Sequence, residues 1–133
     1  MPDDKAFVQS LYAAFGRGDI AFILANAAES IAWSSNDAAG AVPWGGARQG
    51  RQAVQRFFDT LAETLDFEIF DPRRLAADGG LVFVHGRTVA KVKSTGRRFD
   101  MEWVHVFTIE GGHVTRFEEF YDTACVTPAL RAG

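Results

Sequence analysis

Near Phe67 the apolar residues of this 133-residue chain stop recurring every three or four positions and begin to alternate. The first spacing is that of a helix stripe and the second that of a strand, so a helical N-terminal half must pack on a C-terminal sheet. Phe7, Val8, Leu11 and Phe15 form the first stripe, with Asp3 or Asp4 placed to cap it and Gly16-Arg17-Gly18 to stop it. Asp19 suits the N-cap of a second short helix with Ile20, Ile23, Leu24 and Ala27 on its buried side, and the two helices form a hairpin. Ser30 to Ser34 reads as a short strand, and Asn36 to Gly50 as a long loop holding Val42-Pro43-Trp44-Gly45-Gly46. A third helix runs from about Arg51 to Leu65, its stripe supplied by Val54, Phe57, Phe58, Leu61 and Leu65.

Beyond Phe67, turn signals at Asp78-Gly79-Gly80, Ser94-Thr95-Gly96 and Glu110-Gly111-Gly112 separate four antiparallel strands. The last strand ends near Tyr121, and Asp122 caps a short C-terminal helix. Three N-terminal helices packed on a curved antiparallel sheet make an α+β fold, and with no repeat or linker to divide it, residues 1–133 read as one domain.

Charge narrows the partners. With 14 Lys+Arg against 17 Asp+Glu and no basic block, neither nucleic acid nor an anionic membrane is expected as a partner. No apolar run approaches the roughly 20 residues of a membrane-spanning helix. Met1-Pro2-Asp3-Asp4-Lys5 is acidic where a signal peptide would be basic, and the single cysteine, Cys125, allows no intrachain disulfide, so a reducing cytoplasm is the expected compartment. Three scattered histidines make no metal motif, no Gly-rich phosphate loop links a strand to a helix, and no cofactor is expected. The conspicuous residues are aromatic, 12 Phe, 3 Trp and 2 Tyr, and their use depends on which way they point.

Hairpin registers decide that. If Ser94-Thr95-Gly96 is a three-residue loop, Lys93 faces Arg97, Arg87 faces Trp103 and His85 faces His105. If Glu110-Gly111-Gly112 is another, Ile109 faces His113, Trp103 faces Glu119, and His105 lies diagonal to Glu119. One sheet face then carries Phe83, His85, Arg87, Val89, Trp103, His105, Phe107, Phe117, Glu119 and Tyr121, and the other carries Val82, Val84, Thr88, Ala90, Val92, Val104, Val114, Arg116 and Phe120. The first face is aromatic with four ionisable groups, which a plain core would not bury unpaired. It reads as the wall of a cavity. The second, β-branched face is suited to packing on a second copy of the chain.

Within that wall, Glu119 can orient the His105 imidazole for proton transfer near neutral pH. Arg87 either stabilises developing negative charge or neutralises Glu119. Trp33 and Trp44, at a strand end and in the long loop, close the cavity; Trp103 and Tyr121 line it, and His85 sits toward its far end, either lining it or structural.

Several stretches together resemble the SnoaL-like branch of the nuclear transport factor 2-like (NTF2-like) superfamily. They are Ala14-Phe15-Gly16-Arg17-Gly18-Asp19, Trp33-Ser34, Val42-Pro43-Trp44-Gly45-Gly46 followed by Gly50-Arg51-Gln52-Ala53-Val54, and Glu102-Trp103-Val104-His105-Val106-Phe107 leading to Phe117-Glu118-Glu119-Phe120-Tyr121-Asp122-Thr123. The resemblance covers essentially the whole chain and implies a cone-shaped fold, a pocket between sheet and helices, and a homodimer through the outer sheet face. The superfamily includes ketosteroid isomerases, limonene epoxide hydrolase and polyketide cyclases. In this chain the isomerase tyrosine position holds Leu11, the protonated-aspartate position Trp103, and the base position falls near Ser35. Of the epoxide hydrolase set, Arg87 matches the arginine and Glu119 one carboxylate, while the second position is Val89. What the resemblance and the residues imply together is a cofactor-independent enzyme doing isomerisation, cyclisation or hydration on an apolar carbonyl compound, with His105, Glu119 and Arg87 catalytic. The alternative is a non-catalytic ligand-binding or protein-interaction domain.

Overall fold

The computed structural model describes residues 3–131, so Met1 and Pro2 of the acidic start and the last two residues lie outside it. Helix α1 (Asp4–Gly16) begins where the Asp3 carboxylate accepts the Ala6 N–H, and α2 (Ile20–Ala25) where Asp19 accepts that of Phe22. Ala27, expected at the end of α2, instead opens strand β1 (Ala27–Ser35). After the long loop come β2 (Arg48–Gln49), α3 (Arg51–Thr64), β3 (Leu65–Asp78), β4 (Leu81–Val92), β5 (Arg98–Glu110), β6 (His113–Tyr121) and α4 (Thr123–Val126), the last capped by Asp122. The strand order is β2-β1-β6-β5-β4-β3.

The four C-terminal strands form the expected antiparallel meander, but β1 joins β6 in parallel, so the curved sheet is mixed. Val8, Leu11 and Ala14 of α1 and Val54, Phe58 and Leu61 of α3 press their apolar stripes onto the sheet's inner face. Among the described residues no helix is long and apolar enough to cross a membrane.

Both hairpin registers differ from the expected ones. Between β4 and β5, Lys91 pairs with Arg98, which makes Gly86 the partner of Trp103 and Val84 the partner of His105. The C-terminal segment shapes this longer turn, because the Thr95 hydroxyl donates to the Ala129 carbonyl (2.7 Å) and accepts the Arg97 N–H. A one-residue slip turns every side chain of a strand over. Val82, Val84, Thr88, Ala90 and Val92 therefore enter the core, whereas Phe83, His85, Arg87 and Val89 face outward.

Between β5 and β6 the turn is Gly111-Gly112, both at positive φ, with Glu110 paired to His113 and a bulge at Thr108/Ile109. That combination sets His105 directly opposite Glu119 and Trp103 opposite Tyr121. It also turns Val114, expected outside, into the core.

One close approach fixes the centre of the sheet. Trp103, 1% exposed, lays its indole across Gly86 and donates its N–H to the Thr88 hydroxyl at 2.8 Å. A Cβ on Gly86 would overlap the indole ring and stand 2.8 Å from the Asp71 carbonyl, so neither side chain nor backbone leaves it room. Overpacking of this kind costs about 1–3 kcal/mol. Gly86→Ala should lower the unfolding free energy from chemical denaturation by about 1–3 kcal/mol, and a midpoint unchanged within error would show that the indole has somewhere else to go.

Candidate functional site

A cavity of about 100 Å³ lies between the concave face of the sheet and helices α1 and α3. Its walls are overwhelmingly apolar, with Leu11, Phe15, Trp33, Trp44, Phe58 and Met101 among them. Four polar side chains reach it: Tyr12, Thr88, His105 and Glu119. The Thr88 hydroxyl is occupied by Trp103, and the other three form one hydrogen-bonded chain. The Tyr12 hydroxyl lies 2.7 Å from His105 Nδ1, and His105 Nε2 lies 2.8 Å from Glu119 Oε2.

Each link follows from where its strand or helix puts it. His105 and Glu119 are cross-strand partners on the inner face, and Tyr12 descends from α1 above them. An ionised Glu119 only accepts, so Nε2 carries a proton, Nδ1 accepts, and the Tyr12 hydroxyl donates to it. His105 is 5% exposed and the Glu119 side chain 13%. The imidazole stacks on Trp103 at 3.8 Å, with planes 15° apart, and meets the edge of Phe117 at 4.7 Å. Burial, and secondly the charge of Glu119, push the Tyr12 phenol well above its ordinary pKa, so the hydroxyl stays protonated.

Of the side chains expected to line the cavity, Trp33 and Trp44 do; Trp33 stacks on Phe117 at 4.0 Å, and Trp44 is buried although its loop is long. Trp103 does not line it but stands behind His105, and the Tyr121 hydroxyl donates to Asp37 Oδ2 at 2.8 Å instead of entering the cavity. Burial, then that contact with Asp37, raises the Tyr121 pKa as well.

His85 and Arg87 are not in the site at all. His85 lies between Glu102 (3.1 Å) and Arg74 (3.2 Å) on the outer face, and Arg87 forks onto Asp100 there at 2.9 and 2.7 Å. The Arg87–Asp100 hydrogen bonds hold the Asp100 carboxyl below its ordinary range and raise the guanidinium. The reason for both misplacements is the β4 register.

Two residues that build the candidate site escaped sequence reasoning. Tyr12 stands four residues after Val8 and three before Phe15, so it shares their helical stripe, and that spacing could have found it. Asp37 had no such signal, since only the fold brings it to Tyr121; it also accepts from the nearby Ser35 hydroxyl (2.8 Å) and the Gly46 N–H (3.2 Å). These bonds tie down the loop that carries Trp44. Among the described residues no three His, Cys, Asp or Glu side chains converge as a metal site would require.

The α+β fold with its curved mixed sheet is shared with solved NTF2-like proteins. The chain is similar to an NTF2-like protein of Burkholderia xenovorans LB400, at 31% identity over 95% of this chain and 94% of that one (TM-score 0.85). It is similar to an NTF2-like protein of unknown function from Burkholderia pseudomallei K96243, at 26% identity over 99% and 100% (TM-score 0.89). It shares its fold with TerC, crystallised with polyporic acid, at 24% identity over 94% and 95% (TM-score 0.83). No curated protein matches it. The family model described as a SnoaL-like domain matches residues 8–117, and the chain belongs to that family.

The raised pKa of Tyr12 has a sign that can be checked. Below about pH 10, the ordinary tyrosine range, folded and unfolded chains both keep the phenol proton and its contribution to stability is complete. Above it the unfolded chain releases a proton that the folded one retains, so stability falls as pH rises. Melting temperatures between pH 9 and 11.5 should drop more steeply for the wild type than for Tyr12→Phe. Tyr121 remains in both proteins, so the difference isolates Tyr12, and parallel curves would contradict its burial as a neutral phenol.

Proposed function

We propose that the protein is a cofactor-independent acid–base catalyst that isomerises, cyclises or hydrates a small, largely apolar carbonyl compound. The observation that carries this reading is the Tyr12–His105–Glu119 chain, which holds all the ionisable groups lining an otherwise apolar cavity. Tyr12 is the tip, His105 the proton carrier and Glu119 the orienting carboxylate. As a substrate proton reaches the Tyr12 oxygen, the phenol's own proton moves to His105 Nδ1, and tyrosine never becomes a free anion. The imidazolium formed lies between the Glu119 carboxylate and the face of Trp103, both of which favour positive charge. Reversal delivers a proton to a different substrate atom, which completes an isomerisation. Arg87, engaged with Asp100 on the other face, has no part in it.

General acid–base catalysis of this type contributes about 100- to 10,000-fold. Exchange of the α-protons of a small aryl ketone such as 4-phenyl-2-butanone, followed by NMR in D₂O, should therefore run faster with the wild type than in buffer. His105→Ala should lose at least about 100-fold of that rate while keeping its circular dichroism spectrum. An undiminished His105→Ala rate removes the relay. Ketone binding without any exchange favours the second reading, a cavity of the same fold that holds an apolar ligand and leaves it unchanged.

We further propose that two copies pair through the outer sheet face, and that they work in the cytoplasm, where the exposed Cys125 thiol stays reduced. Val104 and Phe120 are cross-strand partners on that face, 37% and 44% exposed, and Phe83 stands beside Val106 on the neighbouring strands. An exposed apolar patch this close-set is unusual on a monomer. Sedimentation should give a dimer for the wild type and a monomer for Val104→Glu/Phe120→Glu, whereas a wild-type monomer at all concentrations removes the proposal.

A further inference from the structure

The cavity wall carries one carboxylate, and only half of it is in use. Glu119 Oε2 takes the His105 Nε2–H at 2.8 Å, whereas Oε1 accepts from no side chain or backbone group among the described residues. That oxygen is not sealed in. Arg48 Nε is the only side-chain nitrogen or oxygen there that is both fully buried and unpartnered, so Oε1 keeps surface that a small molecule can touch. Within the pair the exposure also falls on the carboxylate, 13% against 6% for the imidazole. Among the described residues no lysine or arginine lines the cavity or lies within ion-pair distance of Glu119. Trp33 and Phe117, stacked on each other, stand on the same inner face one row along, so the open oxygen borders a flat apolar wall.

We propose that Glu119 Oε1 is the subsite for a substrate hydroxyl. A carboxylate oxygen only accepts, so its ligand must bring a proton donor. An anion is excluded, because with His105 neutral the cavity carries negative charge and offers no cation to balance a second. An ammonium group would compete for the same carboxylate with the imidazolium that proton transfer creates, two cations on one partner. A neutral O–H bonds to a carboxylate without that conflict, and O–H···O⁻ contacts are among the shortest and strongest hydrogen bonds proteins make. A site built around such a bond also discriminates, since a ligand without the hydroxyl leaves a desolvated carboxylate oxygen unpaired. The Tyr12 hydroxyl and the Glu119 carboxylate stand about 7 Å apart, two hydrogen bonds and the width of an imidazole. The substrate class is therefore a hydroxylated carbonyl compound, its hydroxyl held at Glu119 and its carbonyl directed to Tyr12. The hydroxyl subsite rests on the open oxygen; the carbonyl end, and the choice of a neutral donor over ammonium, rest on the acid–base reading above.

Calorimetry with three probes of one shape tests the subsite without a carbonyl: 4-ethylphenol, its methyl ether 4-ethylanisole, and ethylbenzene. The wild type should bind the phenol at least about ten-fold more tightly than either of the others. An apolar cavity without the subsite would instead prefer ethylbenzene, so that order, equal affinities or no binding at all overturns the proposal. Tighter binding of protonated 2-phenylethylamine than of 4-ethylphenol would assign the oxygen to cations and overturn it as well. Glu119→Gln, which keeps the shape but not the charge, should bring the three affinities to within a few-fold of one another, and an unchanged preference in this variant counts against the subsite. If Glu119→Gln does not fold, the hydroxyl proton of 4-ethylphenol bound to the wild type decides. Bonded to a carboxylate it resonates well downfield of a phenol in apolar solvent, and an unshifted resonance overturns the proposal. Because none of the three probes carries a carbonyl, the subsite and the ketone exchange catalysed by the relay can fail separately.

Discussion

Placing a histidine and a carboxylate in a nearly dry aromatic cavity is the constraint on which the rest of this molecule depends. Either group buried alone would cost several kcal/mol. Together, at 2.8 Å and with Tyr12 on the remaining ring nitrogen, every hydrogen-bonding position of the imidazole is used. This arrangement requires two strands and a helix to meet within tenths of an ångström. The Gly111-Gly112 turn and the bulge beside it set His105 opposite Glu119, and the Asp3 cap and the Gly16 to Gly18 break fix where α1 begins and ends above them. Trp103 then closes the far side of the ring. Its own position depends on a glycine with no room for a side chain and a threonine hydroxyl for its N–H.

The helices and their caps were legible in the residues, because periodicity and an Asp one position before the first turn are local signals. Phe99, Met101, Trp103, His105 and Phe107 were likewise readable as one face, since alternation within a strand needs no partner. Pairing between strands was not legible. Whether Arg87 or Gly86 meets Trp103 turns on one extra residue in a turn whose Thr95 is held by Ala129, more than thirty residues further along the chain. The same rule of alternation therefore put His105 and Glu119 on the inner face, where they lie, and Arg87 and His85 there too, although they lie on the outer one. The parallel pairing of β1 with β6 was beyond reach for the same reason, as was the Asp37 anchor on Tyr121.

The two sheet faces handle charge differently. Outside, Arg87–Asp100 and Arg98–Glu68 are exposed pairs, screened by water and of small worth to stability. Inside, charge is scarce, and among the described residues every fully buried side-chain nitrogen or oxygen except Arg48 Nε has a hydrogen-bond partner.

The loop that carries Trp44 links this electrostatic arrangement to access. Asp37 accepts from Tyr121, Ser35 and the Gly46 backbone at once, and Gly45 packs so tightly on its carboxylate that a Cβ would approach to 2.6 Å. A segment of this length without regular structure would otherwise sample many conformations. Fastened by one carboxylate at its base, it can hold a tryptophan in the cavity wall while its outer residues stay in water. The site is therefore built from three kinds of support: strand register for His105 and Glu119, a helix stripe for Tyr12, and a side-chain anchor for the loop. Only the last lacks a ladder of backbone hydrogen bonds and depends instead on the side-chain contacts of Asp37.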